Sequence, residues 1–541
     1  MSADRDSGAE AAQETSLIVR DLPLTVRHHV TGYLGEQLYF QGFEQLQDVL
    51  LAGADLPLDT PRRIFLPSAQ IISLACTLTV YPPLTSRLPS TRKPDAADKA
   101  LQYFRQLTST GRTTDLPLNE PLTFASQDPY QSSRRRRRSL ADGLDKEDSD
   151  DRLSIKVKAA NEDSIFVRAE DFWAVVGWAF NCSVKHIKRW ERWRVWLDVM
   201  LDLLEKDLRD RSEFRSFKTN INKPDADKLI EDALLTRYLT LRASGRAEKR
   251  RIMRAILADG SKKSMAEFGP LWKNETMPPK EVDPNKLPGK KLDIENEQFG
   301  DYMDLDDDED PETGGKQHGT SRRGKMAGQP DHSDDDLPEL FGKATASEAS
   351  TDYGGHSSML LRQRILGLLA SYCHLHPTYF VDVEDLFDIC TEFLRPLPVQ
   401  IFAQFILPAA TYLDDDLHSV LIRNLMRPLL SVEAPVFRKA ELEQADLERH
   451  FLPFAASRDN VTDNARVSLL NEALLRLLWK HDGLSVTPNL RKAVKTGCEA
   501  RRHKGMFDGR KKKPADLDLM EYAKSVIQDS EVRMTLLLDV V

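Results

Sequence analysis

The sequence predicts an all-α protein, built as helical bundles or irregular α-solenoid bodies joined by a long disordered linker. Three observations carry that expectation. Apolar residues recur at steps of three and four over most of the chain, prolines fall between those periodic stretches, and one long segment has few aliphatic residues at all. At 541 residues the chain exceeds one ordinary hydrophobic core, so roughly two to four folded units are expected. An apolar share of 40% beside 30% charged residues fits packed segments separated by polar ones.

Residues 1–16 are small and polar and read as a disordered tail. An N-terminal helical region spans 17–110. There Ser68 caps a helix whose Ile71, Ile72, Ala75, Leu78 and Thr79 share a face, and Pro82-Pro83 must end it, since proline lacks the amide proton. A second helix over Asp98–Leu107 presents Leu101, Phe104 and Leu107. The run Glu36–Gly42 matches a viral-protease cleavage site, yet the apolar pattern continues through Phe43, Leu46, Val49 and Leu50, so the run belongs to the fold.

Residues 111–160 lose the helical period and read as a linker; Leu153, Ile155 and Val157 alternate and suit either an isolated short strand or a lead into the next unit. A Trp-rich helical region follows over 161–257. Phe172, Val176 and Phe180 keep helical spacing, Asn181-Cys182-Ser183 is expected to break it, and Ser183 to cap the next helix. That helix aligns Trp190, Trp193, Leu197, Met200 and Leu204, and five of the seven tryptophans lie in this region. Further helices are expected over Leu229–Leu239 and Arg246–Leu257. The stretch 258–356 is rich in Pro, Gly, Asp, Lys and Ser, with acidic runs at Asp304–Asp310 and Asp334–Asp336, and reads as a disordered acidic linker.

The last region, 357–541, reads as a C-terminal helical array with a basic loop. Its helix faces are Leu361, Ile365, Leu368 and Tyr372; Val383, Phe387, Cys390 and Leu394; Phe402, Ile406, Ala409 and Leu413, kinked at Pro408; Leu417, Leu421 and Leu425; and Val467, Leu470, Leu474 and Leu478. Turns containing Pro377, Pro396, Pro398 and Pro428 separate them. The array has an architectural likeness to HEAT or armadillo hairpins, without a repeat period.

No phosphate loop, dinucleotide fingerprint, GxSxG elbow or HExxH appears. The sequence therefore predicts no catalytic residues, cofactor, metal or small-molecule substrate. His374 and His376 beside Cys373, with Asp382, Glu384 and Asp385 nearby, read as a helix C-terminus, where histidine suits the dipole and Pro377 stops the turn. Cys373 and Cys390 fall in or beside apolar stripes. With Cys76, Cys182 and Cys498 they are odd in number and never spaced as CxxC, which points to a reducing compartment. No secretory signal and no membrane-length apolar run is present.

A net charge of −9 does not call for nucleic acid, so any such contact must come from local clusters. Arg134, Arg135, Arg136, Arg137 and Arg138 are too mutually repulsive for a core and suit nuclear import. Ser132, Ser133 and Ser139 beside them are phosphorylation candidates, as is Ser333 before Asp334–Asp336. On the Trp-rich helix, Arg189, Arg192, Trp190 and Trp193 are candidates for nucleic acid or a partner. Continuation of the stripe into Leu197 and Met200 favours core packing of the indoles. Arg501, Arg502, Lys504, Arg510, Lys511, Lys512 and Lys513 form a further basic cluster, read as an exposed loop. Leu337, Leu340 and Phe341 suit a short partner-binding motif. These features predict a nuclear, non-enzymatic scaffold or adaptor of a chromatin or genome-maintenance complex, with protein partners, possible DNA or RNA contact and no membrane. The alternative is a nucleic-acid-binding factor in RNA processing or ribosome biogenesis.

Overall fold

The computed structural model describes residues 18–54, 63–88, 92–125, 154–217, 223–240, 245–278, 353–439, 441–506 and 514–540. Among them are nineteen α-helices and one two-stranded sheet. The sheet is a feature the apolar periodicity does not announce. Strand β1 (Ile18–Asp21) pairs in parallel with β2 (Arg63–Leu66), Ile18 opposite Arg63 and Asp21 opposite Leu66. Helices α1 (Leu24–Gly35) and α2 (Tyr39–Ala54) lie between them in sequence, and the crossover length suits a parallel pair. Phe43 and Leu50 of α2 are buried, so the cleavage-site match is part of the packed chain.

Helix α3 (Ala69–Leu78) is buried along most of its length and stops where Pro82 opens a 3-10 turn; α4 (Asp95–Ser109) turns Ala97, Ala100, Phe104 and Leu107 inward. The expected linker over 111–160 is narrower than its polarity suggests. Leu116, Leu118, Leu122 and Phe124 are buried, as are Ile155, Val157 and Ala159. These residues bury side chains from extended or 3-10 backbone, which leaves no helical period to read. Ile155 is not in a strand. Instead Gln70 clamps its backbone, donating Nε2 to its carbonyl and accepting from its amide, both at 3.0 Å.

After α5 (Ile165–Arg168), α6 (Phe172–Lys185) begins on the Asp171 carboxylate, which accepts from the Ala174 amide at 2.7 Å. The helix runs through Asn181-Cys182-Ser183 and breaks only at His186, a correction to the expected boundary. Asn181 is tolerated in mid-helix because its side chain is fully employed elsewhere. Its amide donates to the carbonyls of Ser264 and Phe268, and its oxygen accepts from Gly260 and Ser264. Ser183 caps nothing; its hydroxyl donates back to Phe180 at 2.6 Å.

Helix α7 (Ile187–Phe217), 31 residues long, carries the tryptophan stripe into the interior. Phe172 stacks on Tyr238 at 4.7 Å, Trp193 meets Trp196 edge-on at 5.7 Å, and the Trp196 indole donates to the Cys76 sulfur at 3.2 Å. The helix expected over Leu229–Leu239 is divided at Asp232-Ala233 into α8 (Lys223–Glu231) and α9 (Leu234–Thr240). Helices α10 (Arg246–Ile256) and α11 (Lys262–Glu267) follow. Phe268 then packs on Gly177 so closely that an added Cβ would lie 2.3 Å from its ring. The segment read as linker from 258 is thus packed as far as Trp272 and Glu275, both buried. The acidic runs, Ser333 and the Leu337–Phe341 motif lie outside the described residues, as do Arg134–Arg138, Ser132, Ser133 and Ser139.

The C-terminal helices are α12 (Gly355–Leu375), α13 (Val383–Leu394), α14 (Val399–Ile406), α15 (Asp415–Met426), α16 (Gln444–His450), α17 (Val461–Lys480), α18 (Pro488–Met506) and α19 (Pro514–Val540). Pro408 does not kink a continuing helix; α14 ends at Ile406, before the ring would clash with the preceding turn. Residues 501–506 are not loop but the last turns of α18. Among the described residues no helix is long and apolar enough to cross a membrane. The described N-terminal and C-terminal helices belong to one compact unit.

Candidate interaction surface

The cations singled out in the sequence are, where described, occupied inside the protein. Arg189 is 1% exposed. Its Nε and Nη2 both meet Oε2 of buried Glu275, at 2.9 and 2.8 Å, and its guanidinium lies 4.9 Å from Trp193 and 5.4 Å from Trp272. Burial pushes the Glu275 carboxyl up against the pull of Arg189, and burial pulls Arg189 down against the pull of Glu275. Each charge is held in the interior by the other. Trp190 and Trp193 are buried, so neither presents a ring face on which a base could stack. Arg192 is partly exposed but reaches Asp98 at 2.5 Å.

The second cluster is similarly committed. Arg501 has no exposed surface and donates through Nη1 to the carbonyls of Leu452 and Phe454, both at 3.0 Å. Arg502 pairs with Glu531 of α19. Lys504 donates to the Ala456 carbonyl at 3.0 Å and lies 3.6 Å from Asp459. Arg510, Lys511, Lys512 and Lys513 lie outside the described residues. The arginines of α10 are paired within the chain too: Arg250 meets Glu392, Arg251 meets Asp171 and Arg254 meets Glu267.

What the sequence reading missed is the seam between the Trp-rich region and the C-terminal array, where α12 supplies the key side chains. Arg362, fully buried, donates to the carbonyls of Ile256 and Ala258 at 2.5 and 2.8 Å, and its guanidinium lies 4.1 Å from the Phe180 ring. The negative end of the α10 dipole and an aromatic face take the place of a carboxylate. Burial pushes this guanidinium down to about 9, still charged at neutral pH. Two residues on, Arg364 gathers three carboxylates of α7: Asp198 at 3.0 Å, Asp202 at 2.6 Å and Glu205 at 2.6 Å. Partial burial works against that charge, but Glu205 and Asp202 outweigh it and hold the guanidinium above its ordinary range. Thr236 and Tyr372 share a buried hydroxyl hydrogen bond at 2.8 Å across the same seam. Arg362 and Arg364 flank the stripe residues Leu361 and Ile365, so their presence in an apolar run is the one signal the sequence offered.

Beside the Arg364 cluster runs an open groove of ≈ 340 Å³, lined by Leu208 and Arg209 of α7, Leu368 and Leu375 of α12, and Tyr412. Leu375 and Tyr412 keep 51% and 38% of their surface exposed. Its floor is tight: a Cβ on Gly367 would stand 2.2 Å from the Tyr412 carbonyl oxygen. The groove offers apolar area with a cation–carboxylate cluster at its side, the composition of a protein-docking surface.

All five cysteines are buried and unbridged; burial pushes the Cys373 thiol up to about 12, away from nucleophilic chemistry at neutral pH. His376 is buried between Tyr372 and Tyr379 rather than presented to solvent. Among the described residues no group of three or more His, Cys, Asp or Glu is arranged to hold a metal ion. No known protein family, curated protein or solved structure matches the chain.

Proposed function

We propose that this chain is a non-enzymatic helical scaffold or adaptor that docks protein partners within a nuclear chromatin or genome-maintenance assembly. The observation that carries the reading is how the molecule uses its cations. Arg189, Arg192, Arg501, Arg502 and Lys504 all bind carboxylates or carbonyls of the same chain, whereas apolar side chains such as Leu375 and Tyr412 remain uncovered. A phosphate backbone would have to compete for the first set; a partner protein gains from covering the second. The nuclear part of the reading rests on Arg134–Arg138 alone.

Titration of the full-length chain with duplex DNA and with single-stranded RNA over a range of salt tests this. The scaffold reading expects Arg192→Ala, Arg502→Ala and Lys504→Ala to leave any residual affinity and its salt slope unchanged. A fall in affinity with a slope shallower by about one per cation removed would transfer the reading to nucleic-acid binding.

A further inference from the structure

Six of the seven tryptophans, Trp173, Trp178, Trp190, Trp193, Trp196 and Trp272, are no more than 5% exposed. Trp479, at the end of α17, is the exception at 47%. An indole is costly to leave in water, and its surroundings indicate what covers it.

Helices α17 and α19 pack side by side and run parallel. Ser530 donates to the Ser468 carbonyl, and one turn later Arg533 donates from Nε and Nη2 to the two oxygens of Glu472 at 2.7 and 2.9 Å. Extending that register two turns brings Trp479 level with Val540. Trp479 stands seven residues after Glu472, hence on the same face of α17; Leu536 and Val540 stand three and seven after Arg533 on α19. The three apolar residues therefore share one end of the helix pair, and Leu536 and Val540 are 56% and 76% exposed. Val532, 56% exposed, extends the ridge along α19.

Two arginines that share one buried carboxylate edge this patch. Glu472 is 1% exposed yet takes both Arg533 and Arg476, the latter at 2.6 Å, while the two arginines keep 39% and 48% of their side chains exposed. Lys480, 56% exposed, is held at 2.6 Å by Asp415, which is itself 15% exposed. Of the acids nearby, Asp539 is tied to Arg491 at 2.8 Å, Asp482 lies past the helix end, and exposed Asp529 stands one turn before Arg533, away from Trp479. An approaching surface meets indole, leucine and valine edged by the cationic donors Arg476 and Arg533, whose shared carboxylate, Glu472, is turned inward.

We propose that this surface, Trp479–Leu536–Val540 with Arg476 and Arg533, binds the apolar face of an amphipathic helix of a partner protein that carries Glu or Asp beside its apolar stripe. The indole seats between apolar residues of the incoming helix, and its carboxylates accept from the outward N–H groups of Arg476 and Arg533. The proposal rests on the scaffold reading only in requiring a protein partner, and holds in any compartment.

The test uses the full-length chain and two synthetic helical peptides of about twenty residues with one leucine stripe, flanked by glutamate in one and by lysine in the other. Because Trp479 is the exposed indole, acrylamide quenching of tryptophan fluorescence reports its cover. The Glu-flanked peptide is expected to protect Trp479 and to bind at least about tenfold more tightly than the Lys-flanked one. Trp479→Ala or Leu536→Asp, both at exposed positions, is expected to weaken binding about tenfold or more without moving the melting temperature. Equal affinity for the two peptides, or binding indifferent to Trp479→Ala, overturns the proposal. So does concentration-dependent dimerisation that itself protects Trp479, which would make a second copy the occupant. These outcomes are read on the purified chain, so they stand apart from whether nuclear partners are found.

Discussion

Glu275 and Arg189 show at the scale of single residues how far local reading carries. The arginine stood in plain view, interleaved with tryptophans; its carboxylate lies 86 positions away, in a stretch whose composition resembles linker. Removing one partner leaves the other charge buried without compensation, so Glu275→Gln is expected to destabilise the chain by about 3–5 kcal/mol. Adding Arg189→Met should restore most of that loss in denaturant melts, because the stranded charge goes with it. His418 gives a second expectation. Buried, near Asp415 and Lys480, and bonded to the Ile406 carbonyl, it is pushed down to about 4 by burial. The unfolded chain therefore takes up the proton first, and stability falls as pH drops from about 6.5 to about 4. The loss amounts to at most about 3 kcal/mol. His418→Gln should flatten that part of the stability–pH curve; an unchanged slope would assign the acid sensitivity to other groups. Gly497 is a steric case: a Cβ would stand 1.8 Å from the Leu452 carbonyl oxygen, so Gly497→Ala should cost about 3 kcal/mol or more.

Among the elements, α12 does the joining. Its Arg362, Arg364 and Tyr372 all reach the Trp-rich region, through α10 carbonyls, α7 carboxylates and Thr236 respectively. Arg364→Ala should lower stability by about 1–2 kcal/mol, since its carboxylate partners remain 31–61% exposed and partly screened. In calorimetry one cooperative transition should persist at a lower temperature. Separation into two transitions would show the halves to be independent. The elements also mark where sequence reading succeeds. The face of α13 was legible because Val383, Phe387, Cys390 and Leu394 keep strict spacing, while its cap, Asp382, which accepts from the Asp385 amide at 2.8 Å, was not read as one. The last turns of α18 were misread because Arg501, Arg502 and Lys504 look like solvated loop, whereas Arg501 is a core residue satisfied by carbonyls. The parallel β1–β2 pair was missed because four-residue strands show too few alternations to outweigh the helical signal around them.

For the whole molecule, apolar periodicity was enough to establish an all-α fold, but not that helices on either side of residues 279–342 belong to one unit. That follows from long-range polar contacts such as Arg364 with α7, which no local pattern encodes. The functional reading depends on the same fact: one body that spends its cations internally and leaves apolar helix surfaces uncovered is suited to holding other proteins. The most direct test is purification of the tagged protein from its own cells, with and without nuclease. The account predicts that a stable set of chromosomal proteins remains bound after nuclease. Partners that disappear with nuclease, leaving RNA-processing proteins as the main company, would contradict it.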